Sequence, residues 1–506
     1  MPNSILDATA IPEGQVVLRT KSKTLLGVPY VAALLVSISI WFLAVRAPLW
    51  VDETLSYWQI AGGLRQIWTR SIQGNSFAAY ACLLWLTKTL FGSSELVLRI
   101  PSILAMLAAV YVFYRCAREL FDWDVSLIAT IFFILPRGIA FAAIDVRPYA
   151  FALLATNLTI LLFLRWMNTK KTAYAAWLGV VAAGIFYFHY LFACVLVALA
   201  IDYLLTTRTS IRTDLRQIGV ALGCFAIVIL PVLPRLKYVY QTRTMHSFAA
   251  TPQWTSVLQV LNPGTWQLLM FASVLVLAAL AHKLTAPDRK TLSKLLLSLL
   301  LTLVPILSLF AISVATPVHV FIPRYLLVAI PGMALCWGWL CSLMDSRALR
   351  ASFCVAFVAL CVFQAYTSPV SRKHEESWKD ALAFADASAA VDGAPLLMCS
   401  PLVEADYLPM PAVADESVLY APLSYYQVKA QVVPFPRTLN TEAERQAKQF
   451  LSTALHKRFL VLAPWQSQRI VDLLAYYSQD THSPRVLGRF DNIWVVEFVP
   501  RDGDAN

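Results

Sequence analysis

Charged residues are scarce in this chain of 506 residues. Only 14% of the residues are charged and 58% are hydrophobic, whereas an average soluble domain has about 25% and roughly 45–50%. This balance excludes a disordered chain and an ordinary soluble enzyme. The nine cysteines show neither zinc-ligand nor redox spacing, and the chain has no glycine-rich phosphate loop. The composition therefore predicts a polytopic membrane protein with room for one soluble domain.

Apolar runs long enough to cross a bilayer core of about 30 Å recur along the chain. A shorter run, Phe77–Phe91, carries Lys88. Leaving it out places the Lys/Arg clusters of the connections on one side of the membrane, and the positive-inside rule makes that side the cytoplasm. We therefore predict about eleven spans, with 77–91 as an interfacial helix. The spans are predicted at 25–45, 100–118, 125–143, 148–167, 173–189, 190–206, 216–233, 265–283, 293–314, 323–344 and 350–367.

The composition changes abruptly after Tyr366. Residues 1–366 hold 28 basic and 13 acidic residues, whereas residues 367–506 hold 13 and 17. The basic excess lies beside apolar runs, so we expect membrane lipids rather than nucleic acid as partners. After the boundary, short β-rich runs alternate with helical stretches and predict an α/β domain. The β-rich runs are 395–399, 459–462 and 493–498, and the helical stretches are 377–388, 441–456 and 467–477. In an inner (plasma) membrane we thus predict a cytoplasmic tail at 1–24, a membrane domain at 25–366 whose first periplasmic loop, 46–99, holds interfacial helices, and a periplasmic α/β domain at 367–506.

This orientation leaves few acidic residues of the membrane half on the outer side. Asp52 and Glu53 directly follow the first span, and Glu95 and Asp145 are the two others. Acidic residues suit a helix N-terminus through capping and the helix dipole. A carboxylate at a membrane boundary can also remove a proton from an acceptor hydroxyl or amine. Both interpretations of Asp52 and Glu53 remain open.

Cations and aromatic residues are predicted on the same outer side. Arg147, between Asp145 and Tyr149, suits bidentate binding of a phosphate, although an arginine at a helix start can also snorkel. His189 lies between two spans with almost no linker, where an aromatic belt would also place it. The remaining members are Tyr190, Arg99, the pair Arg324–Tyr325, and Arg235, Lys237, Arg243 and His246 of the loop 234–264.

Several cations around few carboxylates predict a cavity for an anionic lipid headgroup. The cations would neutralise a departing phosphate. One base would then be enough to activate an acceptor that attacks the opposite face of the anomeric carbon, with inversion.

With these motifs in this order, the chain resembles the glycosyltransferase C-type superfamily, in particular the family 39 group. That group includes protein O-mannosyltransferases and the lipid A aminoarabinose transferase. The resemblance covers roughly residues 25–345. It rests on Asp52-Glu53, on Leu90-Phe91-Gly92-Ser93-Ser94-Glu95 leading to Leu98-Arg99-Ile100-Pro101-Ser102, on Val146-Arg147-Pro148-Tyr149-Ala150, on Phe188-His189-Tyr190-Leu191-Phe192, and on Pro323-Arg324-Tyr325-Leu326.

The resemblance implies a membrane enzyme that moves a sugar from a polyprenyl-phosphate donor to a lipid, glycan or protein acceptor on the periplasmic face. By this resemblance Asp52 would be the catalytic base. Relatives commonly begin the interfacial helix with a His-Pro-Pro-Leu-Tyr or Glu-Lys-Pro pattern that can help to hold a metal. Here the stretch Gly74–Tyr80 reads GNSFAAY, so we expect metal-independent transfer without a cofactor. The expected substrate-binding residues are Glu53, Arg99, Asp145, Arg147, Tyr149, His189, Tyr190, Arg243, Arg324 and Tyr325.

Two other functions share part of this pattern. A polysaccharide polymerase or O-antigen ligase uses the same donor class, but such proteins usually rely on a large outer loop rich in Arg and His. A lipid-linked-sugar transporter or flippase would favour ionisable residues at mid-membrane and matching half-repeats. The acidic residues gather at span ends, the loop 234–264 is modest, and no half-repeat is visible, which favours the transferase.

Overall fold

The computed structural model describes residues 27–207, 211–247, 249–262, 264–281, 283–284, 286–367, 376–414, 416–454 and 457–501. The predicted cytoplasmic tail, residues 1–24, lies outside the described residues, as does the stretch 368–375 at the predicted domain boundary. A helical bundle is followed by a smaller domain that contains a β-sheet. The predicted class, an α-helical membrane protein with a C-terminal α/β domain, is confirmed.

Helices make up most of the chain as far as Thr367. A helix satisfies its backbone hydrogen bonds internally, which a segment in hydrocarbon requires. The helices are α1 (Gly27–Ala44), α2 (Val51–Ala61), α3 (Leu64–Gln73), α4 (Ala78–Phe91), α5 (Glu95–Leu120), α6 (Trp123–Ile134), α7 (Arg137–Ile144), α8 (Tyr149–Thr169), α9 (Thr172–Gly184), α10 (Cys194–Thr206), α11 (Ile211–Ile229), α12 (Leu233–Gln241), α13 (Trp254–Leu261), α14 (Thr265–Leu280), α15 (Arg289–Ala315), α16 (Ile330–Ser342) and α17 (Arg347–Thr367).

Six helical stretches within the described ranges are long and apolar enough to cross a membrane, namely α1, α5, α8, Asp214–Gln241, α15 and α17. Two bent pairs, α6 with α7 and α13 with α14, also pass this test when each pair is taken together. The first pair bends by 73° at Leu135-Pro136, where proline cannot donate the helical hydrogen bond. The three remaining predicted spans are shorter apolar helices, at Thr172–Tyr187, Tyr190–Thr206 and Leu326–Ser342. Every predicted span is thus helical, while the number that cross the bilayer stays a prediction.

The connections predicted to be cytoplasmic lie together at one end of the bundle. Three ion pairs join them: Arg165 Nε to Glu119 Oε1 at 3.2 Å, Lys170 Nζ to Asp214 Oδ2 at 2.7 Å, and Arg350 Nη1 to Asp124 Oδ2 at 2.9 Å. Lys170 directly follows α8, a helix of 21 residues and therefore about 30 Å long. Arg147, just before α8, consequently lies at the opposite end, where the loop 46–99 folds into α2, α3 and α4.

The C-terminal domain is a five-stranded mixed sheet covered by helices. Its strands lie in the order β2-β1-β3-β5-β4. β1 pairs in parallel with β2 and β3, whereas β5 is antiparallel to β3 and β4. The elements are α18 (Trp378–Ala389), β1 (Leu396–Cys399), α19 (Pro422–Tyr425), β2 (Val432–Phe435), α20 (Thr441–Thr453), β3 (Phe459–Pro464), α21 (Gln468–Tyr477), β4 (His482–Phe490) and β5 (Ile493–Pro500).

The two faces of the sheet bury different partners. Alternate residues of β1 and β3 pack against α20 and α21 on one face. The other face packs against α18 and also against Val51, Leu55 and Trp58 of α2. These three residues are spaced i, i+4 and i+7 and so form one apolar stripe of the helix. The sheet domain therefore packs directly on the helix that carries Asp52.

Candidate active site

Asp52 lies in the first turn of α2. Trp50 before the helix is extended, with φ −85° and ψ 176°. Its backbone N–H donates to Glu53 Oε2 at 3.3 Å, as in the acidic half of a capping box. The positive end of the helix dipole also favours acidic residues here. The helix-start interpretation of Asp52-Glu53 is thus correct locally, and it places the two carboxylates on different sides of α2.

Glu53 forms a buried ion pair with Arg99 of α5. The two side chains are 0% and 1% exposed, and Arg99 Nη2 lies 3.0 Å from Glu53 Oε2. Glu53 Oε1 also accepts the backbone N–H of Val146 at 2.9 Å. Arg99 Nη1 donates to the carbonyls of Val45 and Ala47 at 2.7 and 2.8 Å. We expected both side chains to line the cavity, whereas they tie α2 to its neighbours away from solvent.

Asp52 contacts the two arginines that the sequence singled out. Its Oδ2 lies 3.0 Å from Arg324 Nη1, and its backbone carbonyl accepts from Arg147 Nη1 at 3.3 Å. The contact with Arg324 is an ion pair rather than an aligned hydrogen bond, because Asp52 Oδ2 accepts no hydrogen bond from the described residues. Burial tends to lower the pKa of Arg147, but the Asp52 carboxylate raises it above its ordinary value. Two guanidiniums thus lie beside one carboxylate, which leaves an excess of positive charge.

Asp145 is buried beside this group. Trp50 Nε1 donates to Asp145 Oδ1 at 3.1 Å, and the Trp50 ring centroid lies 5.8 Å from the guanidinium carbon of Arg324. Burial raises the pKa of Asp145 to about 8, and the nearby Glu53 carboxylate adds to the shift. Asp145 can therefore hold a proton near neutral pH, so that it adds little negative charge to offset Arg147 and Arg324.

Aromatic rings form a wall next to the arginines. The His189 ring lies 5.4 Å from Tyr149, 6.0 Å from Tyr190 and 4.8 Å from Tyr325, measured between centroids. The guanidinium carbon of Arg324 lies 5.7 Å from the Tyr325 ring, within cation–π range. The structure thus brings all four predicted aromatic residues together.

Known proteins match part of this sequence and the fold of the chain. Residues 78–234 match the model of the family described as dolichyl-phosphate-mannose-protein mannosyltransferase. The crystal structure of ArnT from Cupriavidus metallidurans bound to undecaprenyl phosphate aligns with a TM-score of 0.55 and 12% identity, over 96% of this chain and 98% of ArnT. The apo structure of ArnT aligns with a TM-score of 0.54 and 13% identity, over 92% and 97%. The chain therefore shares the fold of ArnT over almost its whole length. None of the curated proteins compared with it matches.

The sequence match to the family includes only part of the site, whereas the structural match includes nearly the whole chain. The matched residues 78–234 include Arg147 and His189 but neither Asp52 nor Arg324. The C-type glycosyltransferase fold, by contrast, extends over nearly the whole chain. The carboxylate of the site therefore lies within the shared fold but outside the stretch with a sequence-level match.

The cations that we expected around one cavity lie at different places in the structure. Arg235 of α12 is buried and donates to the carbonyls of Ser76 and Ser71 at 3.0 and 3.3 Å, so it holds the turn between α3 and α4. The guanidinium carbon of Arg243 lies 4.0 Å from the centroid of the Tyr240 ring, and Arg243 Nη1 donates to the Tyr240 carbonyl. The side chain of His246 lies outside the described residues. Arg147 and Arg324 are the cations that meet Asp52.

Two residues of the site were not in the predicted set. Trp50 stands next to the predicted acidic pair, and an aromatic residue at a membrane boundary is too common to single out. Tyr426 accepts the backbone N–H of Leu49 at 2.6 Å, although it lies in the C-terminal domain. No local signal in the sequence connects it with the first loop.

An apolar cavity of about 530 Å³ lies in the bundle and borders the segment before Arg324. Side chains of α1, α6, α7, α16 and α17 line it, and Pro323 next to Arg324 is part of its wall. Gln267, which also borders the cavity, donates through Nε2 to Gln364 Oε1 at 2.6 Å. The cavity therefore lies within the bundle and reaches the segment that carries Arg324 at Pro323.

The described ranges contain no group of three or more His, Cys, Asp or Glu side chains that could hold a metal ion. Metal independence of the transfer stays a prediction.

Proposed function

We propose that this protein is an inverting membrane glycosyltransferase that moves a sugar from a polyprenyl-phosphate donor to an acceptor on the periplasmic face. The contact of Asp52 with both Arg147 and Arg324 carries the proposal. The neighbouring ArnT structure contains undecaprenyl phosphate, and the matching family is described by a dolichyl-phosphate-linked donor. Both support a lipid-phosphate donor and favour a transferase over a transporter.

The two guanidiniums suit the donor phosphate. Arginine binds phosphate through parallel charge-assisted hydrogen bonds, and Arg147 and Arg324 exceed the charge of Asp52 by one. The apolar cavity, whose wall includes Pro323, would take part of the lipid chain. Headgroup and chain would then bind at neighbouring places, as a lipid phosphate requires.

Asp52 would act as the general base. Its carboxylate removes the proton from the acceptor O–H or N–H while the acceptor atom forms a bond to the anomeric carbon. The bond from that carbon to the phosphate oxygen breaks, and the phosphate leaves with the electron pair, neutralised by the two arginines. Attack from the face opposite the phosphate inverts the configuration.

Binding of the donor would also release the base. Arg324 pairs with Asp52 at 3.0 Å. A donor phosphate competes for Arg324 and so frees the Asp52 carboxylate to meet the acceptor. Glu53, Arg99 and Asp145 would support this arrangement, and Tyr149, His189, Tyr190 and Tyr325 would line the sugar site. The acceptor can be a lipid, a glycan or a protein.

Two variants separate chemistry from binding. Asp52→Asn should lower sugar transfer from polyprenyl-phosphate-linked donors by at least about a hundredfold, the scale of general base catalysis. It should still bind undecaprenyl phosphate in native mass spectrometry. Arg324→Ala should weaken that binding by about tenfold or more, the scale of a lost charge-assisted hydrogen bond, and leave binding of undecaprenol, which lacks the phosphate, unchanged.

Arg445→Ala is the matched control, since Arg445 is an exposed arginine of the C-terminal domain. It should leave transfer and binding as in the wild type. Transfer by Asp52→Asn at the wild-type rate would remove Asp52 as the base. Equal weakening of undecaprenol and undecaprenyl phosphate binding by Arg324→Ala would remove the phosphate role.

A further inference from the structure

Tyr426 extends from the C-terminal domain to the start of α2. The backbone N–H of Leu49 donates to Tyr426 Oη at 2.6 Å, and Tyr426 Oη lies 3.0 Å from Glu95 Oε1. A phenol has one proton and the Glu95 carboxylate can only accept, so Tyr426 donates to Glu95 and accepts from Leu49. Lys379 Nζ lies 3.5 Å from the same Glu95 oxygen. Two groups of the C-terminal domain thus meet the membrane domain here.

The second partner of Tyr426 leads back to the site. Glu95 is the first residue of α5, and Arg99 lies one helical turn further along the same helix. Arg99 binds Glu53, which is the neighbour of Asp52 in α2. The Tyr426 hydroxyl therefore ties the residue two positions before α2 to the first residue of α5, and the contacts of these two helices place the Asp52 carboxylate.

The hydroxyl contributes what apolar packing cannot. Val51, Leu55 and Trp58 pack on the sheet of the C-terminal domain, but apolar contacts are non-directional and tolerate small shifts along the helix axis. A hydrogen bond to the backbone of Leu49, a fully buried residue, has a defined direction and length. It therefore fixes where α2 begins.

We infer that Tyr426 is a positioning residue for Asp52, which makes the C-terminal domain part of the scaffold of the active site. Tyr426 holds the first turn of α2 so that the Asp52 carboxylate keeps its place against Arg147 and Arg324. The kinetic consequence rests on the proposed function, whereas the effect on α2 does not.

Tyr426→Phe in the full-length protein tests this inference. The variant leaves the Leu49 N–H buried without its acceptor, so backbone hydrogen exchange in the segment 47–56, measured by mass spectrometry, should rise. In a transfer assay kcat should fall by about five- to tenfold, the scale of one lost hydrogen bond. KM for the donor should stay within about twofold, because Arg147 and Arg324 are intact.

Tyr425→Phe is the matched control. The Tyr425 hydroxyl donates to the Ser93 carbonyl at 2.9 Å rather than to the start of α2, so exchange in 47–56 should match the wild type. Glu95→Gln keeps an acceptor for Tyr426 and should stay close to the wild type in both readouts. A general loss of stability would instead raise exchange throughout the C-terminal domain.

Equal exchange in Tyr426→Phe and Tyr425→Phe overturns the inference. If transfer by the wild type depends on Asp52, raised exchange in Tyr426→Phe together with an unchanged kcat also overturns the inference. If the wild type transfers no sugar, the proposed function fails, and the exchange data alone decide whether Tyr426 fixes α2. A fall in kcat with unchanged exchange in 47–56 also overturns the positioning role.

Discussion

Replacing Arg99 with methionine should destabilise the protein more than the same replacement of an exposed arginine does. Methionine replaces the aliphatic part of the side chain and removes the guanidinium. Glu53, at 0% exposed, would remain buried with only backbone N–H partners. The carbonyls of Val45 and Ala47 would lose the donor that Arg99 supplies.

The size of the effect follows from this burial. Removing one partner of a buried ion pair costs about 3–5 kcal/mol, because the other charge is left without compensation. We expect Arg99→Met to lower the free energy of unfolding by that amount at pH 8, measured by denaturant unfolding in detergent micelles. The double variant Glu53→Gln/Arg99→Met carries no buried charge at these positions and should recover part of the loss.

The loss should also depend on pH. Burial raises the pKa of Glu53, and Arg99 opposes this shift. Without Arg99 the pKa of Glu53 rises further, so the folded variant binds a proton that the unfolded chain, with a pKa of about 4.3, has already released. Stability then falls as pH rises. Arg99→Met should therefore lose less stability at pH 5 than at pH 8.

The matched control is Arg445→Met. Arg445 pairs with Glu442 at 2.6 Å, but the side chains are 64% and 41% exposed, and exposed pairs contribute little. This variant should unfold as the wild type does. An equal loss for both variants, or a loss for Arg99→Met that is the same at pH 5 and pH 8, would refute the reasoning from buried charge.

Two further substitutions test packing and charge elsewhere. Gly179→Ala should lower the free energy of unfolding by about 1–3 kcal/mol, as overpacking does, because the new Cβ would collide with the backbone of Ala221 in the adjacent helix. A Cβ at Gly219 meets nothing within 4 Å. Gly219→Ala should therefore cause no loss in the same unfolding measurement. Asp145 has a pKa of about 8 in the folded protein and about 3.9 in an unfolded chain, so its contribution to stability falls as pH rises from about 4 to about 8. Asp145→Asn should remove this part of the pH dependence in thermal unfolding, and an unchanged slope would contradict it.

The meeting of Asp52 with Arg147 and Arg324 could be predicted from the sequence because span ends alternate between the two sides of a membrane. That rule assigns a residue to one end of the bundle, and only a few ionisable residues share the end. It does not give the direction of a side chain. Arg99 and Arg235 were therefore expected around the cavity, whereas both point into the protein and bind backbone carbonyls.

The strands of the C-terminal domain could also be predicted only in part from the sequence. The central strands β1, β3 and β5 are buried apolar runs, which the sequence predicts. The two edge strands, β2 and β4, were missed. β2 contains Pro434, and β4 contains Pro484 and Gly488 and is largely exposed. Edge strands tolerate such residues, so they lack the regular alternation by which a strand is recognised.

The adjacent carboxylates of α2 cannot exchange roles, since successive residues of a helix point about 100° apart. Glu53 is closed off from solvent and is engaged by Arg99 and by the N–H groups of Val146 and Trp50. Releasing it would leave Arg99 as an uncompensated buried charge. Among the described residues, the Asp52 side chain has one ion pair, with an arginine that is 28% exposed, and a bound phosphate can take that arginine over. A carboxylate that must change partners during a reaction has to be the one whose partner can leave. Of the two carboxylates, this condition selects Asp52. Glu53 therefore cannot rescue Asp52→Asn.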